Sequence, residues 1–179
     1  MVFRLHHAND TFSSLRVSTM IRLALPEDSK SDPRYKNRPH CGVTALSIVT
    51  GSKHVDMWRQ VRDHCGYGAK WRGGMQTGHF PRMLRHLGVD FETHTFGRLS
   101  ISRFAREYAK KDTTYLILSG THAQTLQNNR IADQGGVFHI TEYRGKRYHA
   151  QWVFEIKTPA APNPAEVQTF GLPLFDLAA

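Results

Sequence analysis

Cysteine is nearly absent from this chain: Cys41 and Cys65 are its only two thiols in 179 residues. Two thiols pair at most once, which excludes a disulfide-stapled scaffold, and a chain of this length can bury a core without such a staple. Both are expected to be reduced, and a reduced thiol is free for chemistry. Metal-ligand spacings are also missing. The chain has 11 histidines but no Cys-x-x-Cys and no His-Glu-x-x-His, the short paired spacings from which zinc draws its ligands. No glycine-rich stretch ends in Gly-Lys-Ser/Thr, so residues 65–78, CGYGAKWRGGMQTG, read as a loop and not as a phosphate cradle. Neither a metal nor an organic cofactor is expected.

Long apolar runs are missing as well. No stretch of eighteen apolar residues occurs, and the N-terminus MVFRLHHANDTF lacks the basic, apolar, small-residue order of a secretion signal. A soluble, cytoplasmic protein with no membrane contact is expected. The net charge is +9, yet no run of five or six like charges is present. Scattered positive charge favours nucleic acid, an acidic protein or an anionic surface without choosing among them, and a merely solvated basic surface is the plain alternative.

What is present divides into one domain with tails. Residues 1–33 combine a β-like run (17–25) with the start of a polar loop (26–38), and 159–179 form a proline-rich linker followed by an apolar tail. Between them, apolar residues recur at helical spacing over 41–50, 54–64 and from Thr77, a plausible cap, to Gly88. A fourth helix is predicted over 100–110. Strands are predicted over 89–95, 114–119, 122–127, 130–133 and 147–157, with a short one at 138–143. Helices come first and strands second, which argues for an α+β fold in which an N-terminal helical part packs on a C-terminal antiparallel sheet. Trp58 and Trp152 fall in amphipathic elements and are expected in the core.

A thiol reacts as its thiolate, and an ordinary cysteine is mostly protonated at neutral pH. Cys41 follows Pro39-His40 at a predicted helix start, where unpaired N–H groups and the positive end of the helix dipole favour an anion. On position alone, such a cysteine is more often core packing, so a partner is needed. His122 opens a strand that reaches Asn128-Asn129, two residues that tolerate the positive φ of a tight turn. If those two residues make the turn, Gln127 faces Arg130 and Asp133 faces Gln124. His122, Gln124 and Asp133 then share one sheet face, with Asp133 diagonal to His122 and able to fix its tautomer. A three-residue turn would send Asp133 to the opposite face. His40, His139 and His149 are the rival bases.

The stretch RPHCGVTALSIVTG, the hairpin GTHAQTLQNNRIAD and the late strand QWVFEI resemble the small papain-like cysteine peptidases of phage and bacterial genomes, similar to the domains that cut bacteriocin leader peptides. The resemblance spans about residues 34–157. It implies that Cys41-Gly42 opens the central helix, that Gly120-Thr121-His122 brings in the base, and that Asp133 orients it. The family usually carries a glutamine ahead of the nucleophile as oxyanion donor, and Asn37 stands there in this chain. The function implied is a cysteine peptidase or a related isopeptidase or amidase acting on a protein or peptide, in the host cytoplasm if the chain is phage-encoded. The alternative is a papain-like shell without hydrolysis that binds nucleic acid or a host protein through its basic surface.

Two further features point outward. Trp71, in the glycine-rich loop, is expected against the substrate together with Gly120, and stacking on a nucleic-acid base is the competing use of Trp71. Residues 168–175, QTFGLPLF, resemble the short peptides that dock into bacterial sliding clamps, although Gly171 stands where their glutamine belongs; covering the chain's own surface is the alternative.

Overall fold

The computed structural model describes residues 21–30 and 40–158. Among these the chain forms four α-helices and one six-stranded sheet, an α+β arrangement. The helices are α1 (Cys41–Thr50), α2 (His54–His64), α3 (His79–His86) and α4 (Ile101–Glu107). The strands are β1 (Asp90–Thr95), β2 (Thr114–Ser119), β3 (His122–Gln127), β4 (Arg130–Asp133), β5 (Gly136–His139) and β6 (Trp152–Thr158). Their order across the sheet is β1-β6-β2-β3-β4-β5, and every neighbouring pair is antiparallel.

The sheet is covered on both faces, which explains why the central strand TYLILS is buried at every position and shows no polar alternation. Leu116 and Leu118 of β2, Ala123 of β3 and Phe154 of β6 turn toward α1, α2 and α3, where they meet Val43, Leu46, Met57 and Phe80. Tyr115, Ile117, Leu126, Ile131 and Val153 turn the other way, onto Ile101 and Phe104 of α4 and onto Tyr143. The helix α1 runs against β3 and is buried at every position from Gly42 to Val49. Its C-terminus is closed by Gly51 in the left-handed conformation (φ 70°), whose N–H returns to the Ser47 carbonyl.

On the α4 face the buried carboxylate of Glu155 is held by Lys110 (3.0 Å), Lys157 (2.5 Å) and His94 (3.2 Å). Burial opposes its charge, but the hydrogen bonds from Lys157, Lys110 and His94 prevail and hold its pKa down to about 2. Glu92, His94 and Glu155 bring ligand-type atoms within 4.8 Å of one another. Lys157 bridges the two carboxylates, so their charge is already matched by lysine. No helix among the described residues is long and apolar enough to cross a membrane.

Several sequence expectations shift here. Residues 21–25 hold no strand, with 17–20 outside the described residues, and the polar loop that follows contains the 3₁₀ turn Glu27–Lys30. Asp28 of that turn accepts from the N–H groups of His54 and Val55 (2.7 and 2.9 Å), capping α2 from a distance. Gly78, not Thr77, caps α3, without a side-chain bond. The strand expected over 147–157 starts only at Trp152, because residues 144–147 coil into a 3₁₀ turn. Trp152 pairs with Leu118 at the end of the sheet and stays 42% exposed instead of entering the core. The chain's tail beyond Thr158, including residues 168–175, lies outside the described residues.

Leu116, fully buried between the sheet and α1–α3, tests this packing. Leu116→Ala is expected to cost about 2–5 kcal/mol, read as a lower urea midpoint at an unchanged m-value.

Candidate active site

The first turn of α1 presents its N–H groups with no acidic side chain nearby and no side-chain cap from His40, so the positive end of the helix is left facing Cys41. His40 is buried and its Nδ1 lies 3.1 Å from Thr44 Oγ1, which ties it into the helix it precedes. Gly42 is crowded: a Cβ there would come within 2.7 Å of Met75 Sδ and 2.9 Å of Phe80 Cζ and displace those side chains, where the glycine-rich loop and α3 close over the helix start. The Cys41 thiol reaches across to the β2–β3 turn, 3.8 Å from the Thr121 carbonyl.

The β3–β4 hairpin turns on two residues. Asn128 and Asn129 both take the left-handed conformation (φ 49° and 60°), Gln127 pairs with Arg130, and Leu126 with Ile131. Asn128 Oδ1 accepts from the Asp112 N–H (2.8 Å), and its amide donates to the Asp112 carboxylate (2.9 Å), which fastens the turn to the neighbouring loop. With that register Asp133 lies on the His122 face, and His122 Nε2 meets Asp133 Oδ2 at 3.0 Å. The carboxylate occupies Nε2, so Nδ1 is the ring nitrogen left for the thiol.

Asp133 is held on both oxygens. Oδ2 also accepts from the Tyr143 hydroxyl (2.9 Å), and Oδ1 from the Gly135 N–H (2.7 Å). Behind this pair the buried Gln124 bonds Ser119 (3.0 Å) and approaches Tyr143 (3.5 Å). Burial favours a neutral Asp133, but the bonds from His122, Gly135 and Tyr143 keep its pKa below the ordinary carboxyl value. Burial pushes the Tyr143 hydroxyl far above its usual range, and the Asp133 charge adds to this, so Tyr143 serves only as a donor. His122 is raised to about 9, first by the Asp133 hydrogen bond and then by Cys41. Burial opposes the Cys41 thiolate, yet the His122 hydrogen bond, the Ala123 and Gly42 N–H groups and the His122 charge outweigh it and lower the thiol pKa. Cys65, at the end of α2, goes the other way: burial raises it, against only a weak opposing pull from Arg82.

His122 is therefore the histidine joined to Cys41. His139 Nδ1 instead meets Thr141 (2.7 Å) and His149 forms a bridge with Ser100. Gly120 lies in the groove beside His122 with φ 59°, and its N–H donates to Gln151 Oε1 (3.1 Å). Trp71 does not line that groove. One face of Trp71 stacks flat on Tyr67 at 4.6 Å, Trp58 lies tilted at the same distance, and its indole N–H donates to the Gly74 carbonyl (2.7 Å), so its stacking capacity is spent inside the protein. Asn37 lies outside the described residues.

Two contributors escaped the sequence. Gln134 Oε1 accepts the His40 N–H (3.3 Å) and clamps the β4–β5 turn to the start of α1. Tyr143 falls at the end of the short strand expected over 138–143, but β5 spans Gly136–His139 and leaves it in the loop that follows, whereas Gln134 at least adjoins Asp133. Neither a protein-family model nor a curated protein matches the chain.

The His122–Asp133 pair sets a pH dependence whose sign is defined. In a Cys41→Ala background, His122 still binds its proton more tightly folded than unfolded, so the stabilisation is complete below about pH 6.5 and declines as pH rises through the folded pKa. The urea midpoint of Cys41→Ala is expected to fall as pH rises above about 6.5, and adding Asp133→Asn is expected to flatten that slope.

Proposed function

We propose that this protein is a papain-like thiol hydrolase that cleaves an amide bond in a protein or peptide, working where thiols stay reduced, as in the cytoplasm. The observation that carries the reading is the bridge made by one imidazole, bonded through Nε2 to a three-donor carboxylate and coupled to a thiol at a helix N-terminus. A Cys41 with a lowered pKa beside a His122 with a raised one favours a thiolate–imidazolium pair near neutral pH, and the pair titrates as a unit.

In the proposed reaction the Cys41 thiolate adds to the substrate carbonyl carbon, and the electron pair of the C=O bond moves to oxygen. The backbone N–H of Cys41 and the N-terminal dipole of α1 hold that oxyanion, with Asn37 as a proposed further donor. The oxyanion collapses, the C–N bond breaks, and imidazolium His122 gives its proton to the departing amine. Neutral His122 then takes a proton from water, whose oxygen attacks the thioester. The C–S bond breaks, and the thiolate and imidazolium return together. Asp133 keeps the ring oriented throughout and stabilises its cationic form. Tyr143 and the Gly135 N–H position Asp133.

The two thiols provide an internal comparison, since both are partly exposed and their pKa values are pushed in opposite directions. After a short pulse of iodoacetamide at pH 6 to 7, mass spectrometry is expected to find Cys41 labelled about tenfold or more faster than Cys65. His122→Ala should remove most of that advantage. Equal labelling of the two cysteines, or an advantage indifferent to His122→Ala, would leave the binding-module reading in its place.

A further inference from the structure

The groove that exposes His122 has a volume of about 710 Å³, and one of its walls is the 3₁₀ turn Arg144–Arg147. Residues three apart eclipse on such a turn, so Arg144 and Arg147 stand over one face, and both line the groove. Lys146 points elsewhere and donates to the Thr141 carbonyl. Gly145 is buried between them at a place where a Cβ would come within 2.6 Å of the Tyr143 ring. The ring whose hydroxyl holds Asp133 therefore also seats the turn that carries the two arginines.

The charge of this groove is unbalanced. Its one carboxylate, Asp133, is committed to His122, Tyr143 and the Gly135 N–H. Arg59, Arg62, Arg103 and Arg106 each rest on a carboxylate elsewhere on the surface. The side chains of Arg144 and Arg147 make no hydrogen bond or ion pair among the described residues, and both residues are exposed. Two uncompensated guanidiniums beside a reactive centre raise the local concentration of anions and offer fork-shaped donors that suit carboxylates.

Resting on the acyl-transfer reading above, we infer that this groove selects an acidic peptide segment, with two carboxylates at alternate positions meeting Arg144 and Arg147. The spacings agree. Three residues of a 3₁₀ turn advance about 6 Å, and two residues of an extended peptide, whose side chains share a face, advance about 6.6 Å.

The test uses the full chain as Cys41→Ser and fluorescence anisotropy at about 0.1 M salt, where the Debye length is still ~10 Å. Three labelled dodecapeptides alternate alanine with glutamate, glutamine or lysine, and an oligothymidylate of equal length is the fourth ligand. The glutamate peptide is expected to bind on the order of tenfold more tightly than the glutamine peptide. Arg144→Ser with Arg147→Ser should erase that preference. Arg144→Glu with Arg147→Glu should transfer it to the lysine peptide, a gain that misfolding cannot produce. Equal affinity for the glutamate and glutamine peptides overturns the inference, as does a preference that survives the double serine change. Tighter binding of oligothymidylate, lost in the same variant, overturns it in favour of nucleic acid. Because the probe protein lacks the thiol, these outcomes are separate from Cys41 alkylation: slow alkylation alongside a retained glutamate preference would defeat the catalytic reading and not the groove.

Discussion

Two asparagines in the left-handed conformation hold the candidate site together, although neither touches it. Asn128 and Asn129 close the β3–β4 hairpin in two residues, and a side-chain period of two then decides everything downstream on β4. With this turn, Asp133 shares a face with His122, and Ile131 enters the apolar layer beneath α4. Ile131 and Asp133 are two residues apart and share that face, so a slip of one residue would carry both to the α1 side, parting Asp133 from His122 and Ile131 from the layer beneath α4.

The electrostatics follow from that placement. A carboxylate that is largely buried stays charged only if donors surround it, and Asp133 has three: a ring N–H, a backbone N–H and a phenol. Its hydrogen bond, more than its charge, raises His122, and the hydrogen bond and charge of His122 lower Cys41 against the cost of burial. The polar strand segment Ala123-Gln124-Thr125 is not wet, because Gln124 and Thr125 are fully buried and Gln124 meets Ser119. The network Ser119–Gln124–Tyr143–Asp133–His122 is thus built into the apolar layer, where a low local dielectric strengthens each bond in it.

The α+β arrangement and most of its elements could be read from the chain because their signals are local. Gly51 stops α1, apolar spacing marks α2 and α3, and the apolar, β-branched run 114–119 marks β2 as a strand. The misreadings share the opposite cause. Trp152 looked like a core residue by alternation, but it sits at the first position of β6, where the sheet ends. Residues 147–151 looked extended, while packing of Gly145 under the Tyr143 ring coils the 3₁₀ turn that ends at Arg147. Trp71 looked available for a ligand because a glycine-rich loop carries it, yet Tyr67 and Trp58 take it up.

The sequence by itself determined the helix-opening thiol and the paired asparagines, and it tied the face on which His122 and Asp133 meet to a two-residue turn, which the structure has. Those properties depend on residues a few positions apart, where backbone geometry and side-chain period are enough. Only the tertiary structure decided that α1 delivers Cys41 to the β2–β3 turn 80 residues away, that Tyr143 and Gln134 brace the site, and that Arg144 and Arg147 line its groove. These are meetings between segments far apart in the chain. They are set by how the two apolar faces of the sheet are covered, which no single segment encodes.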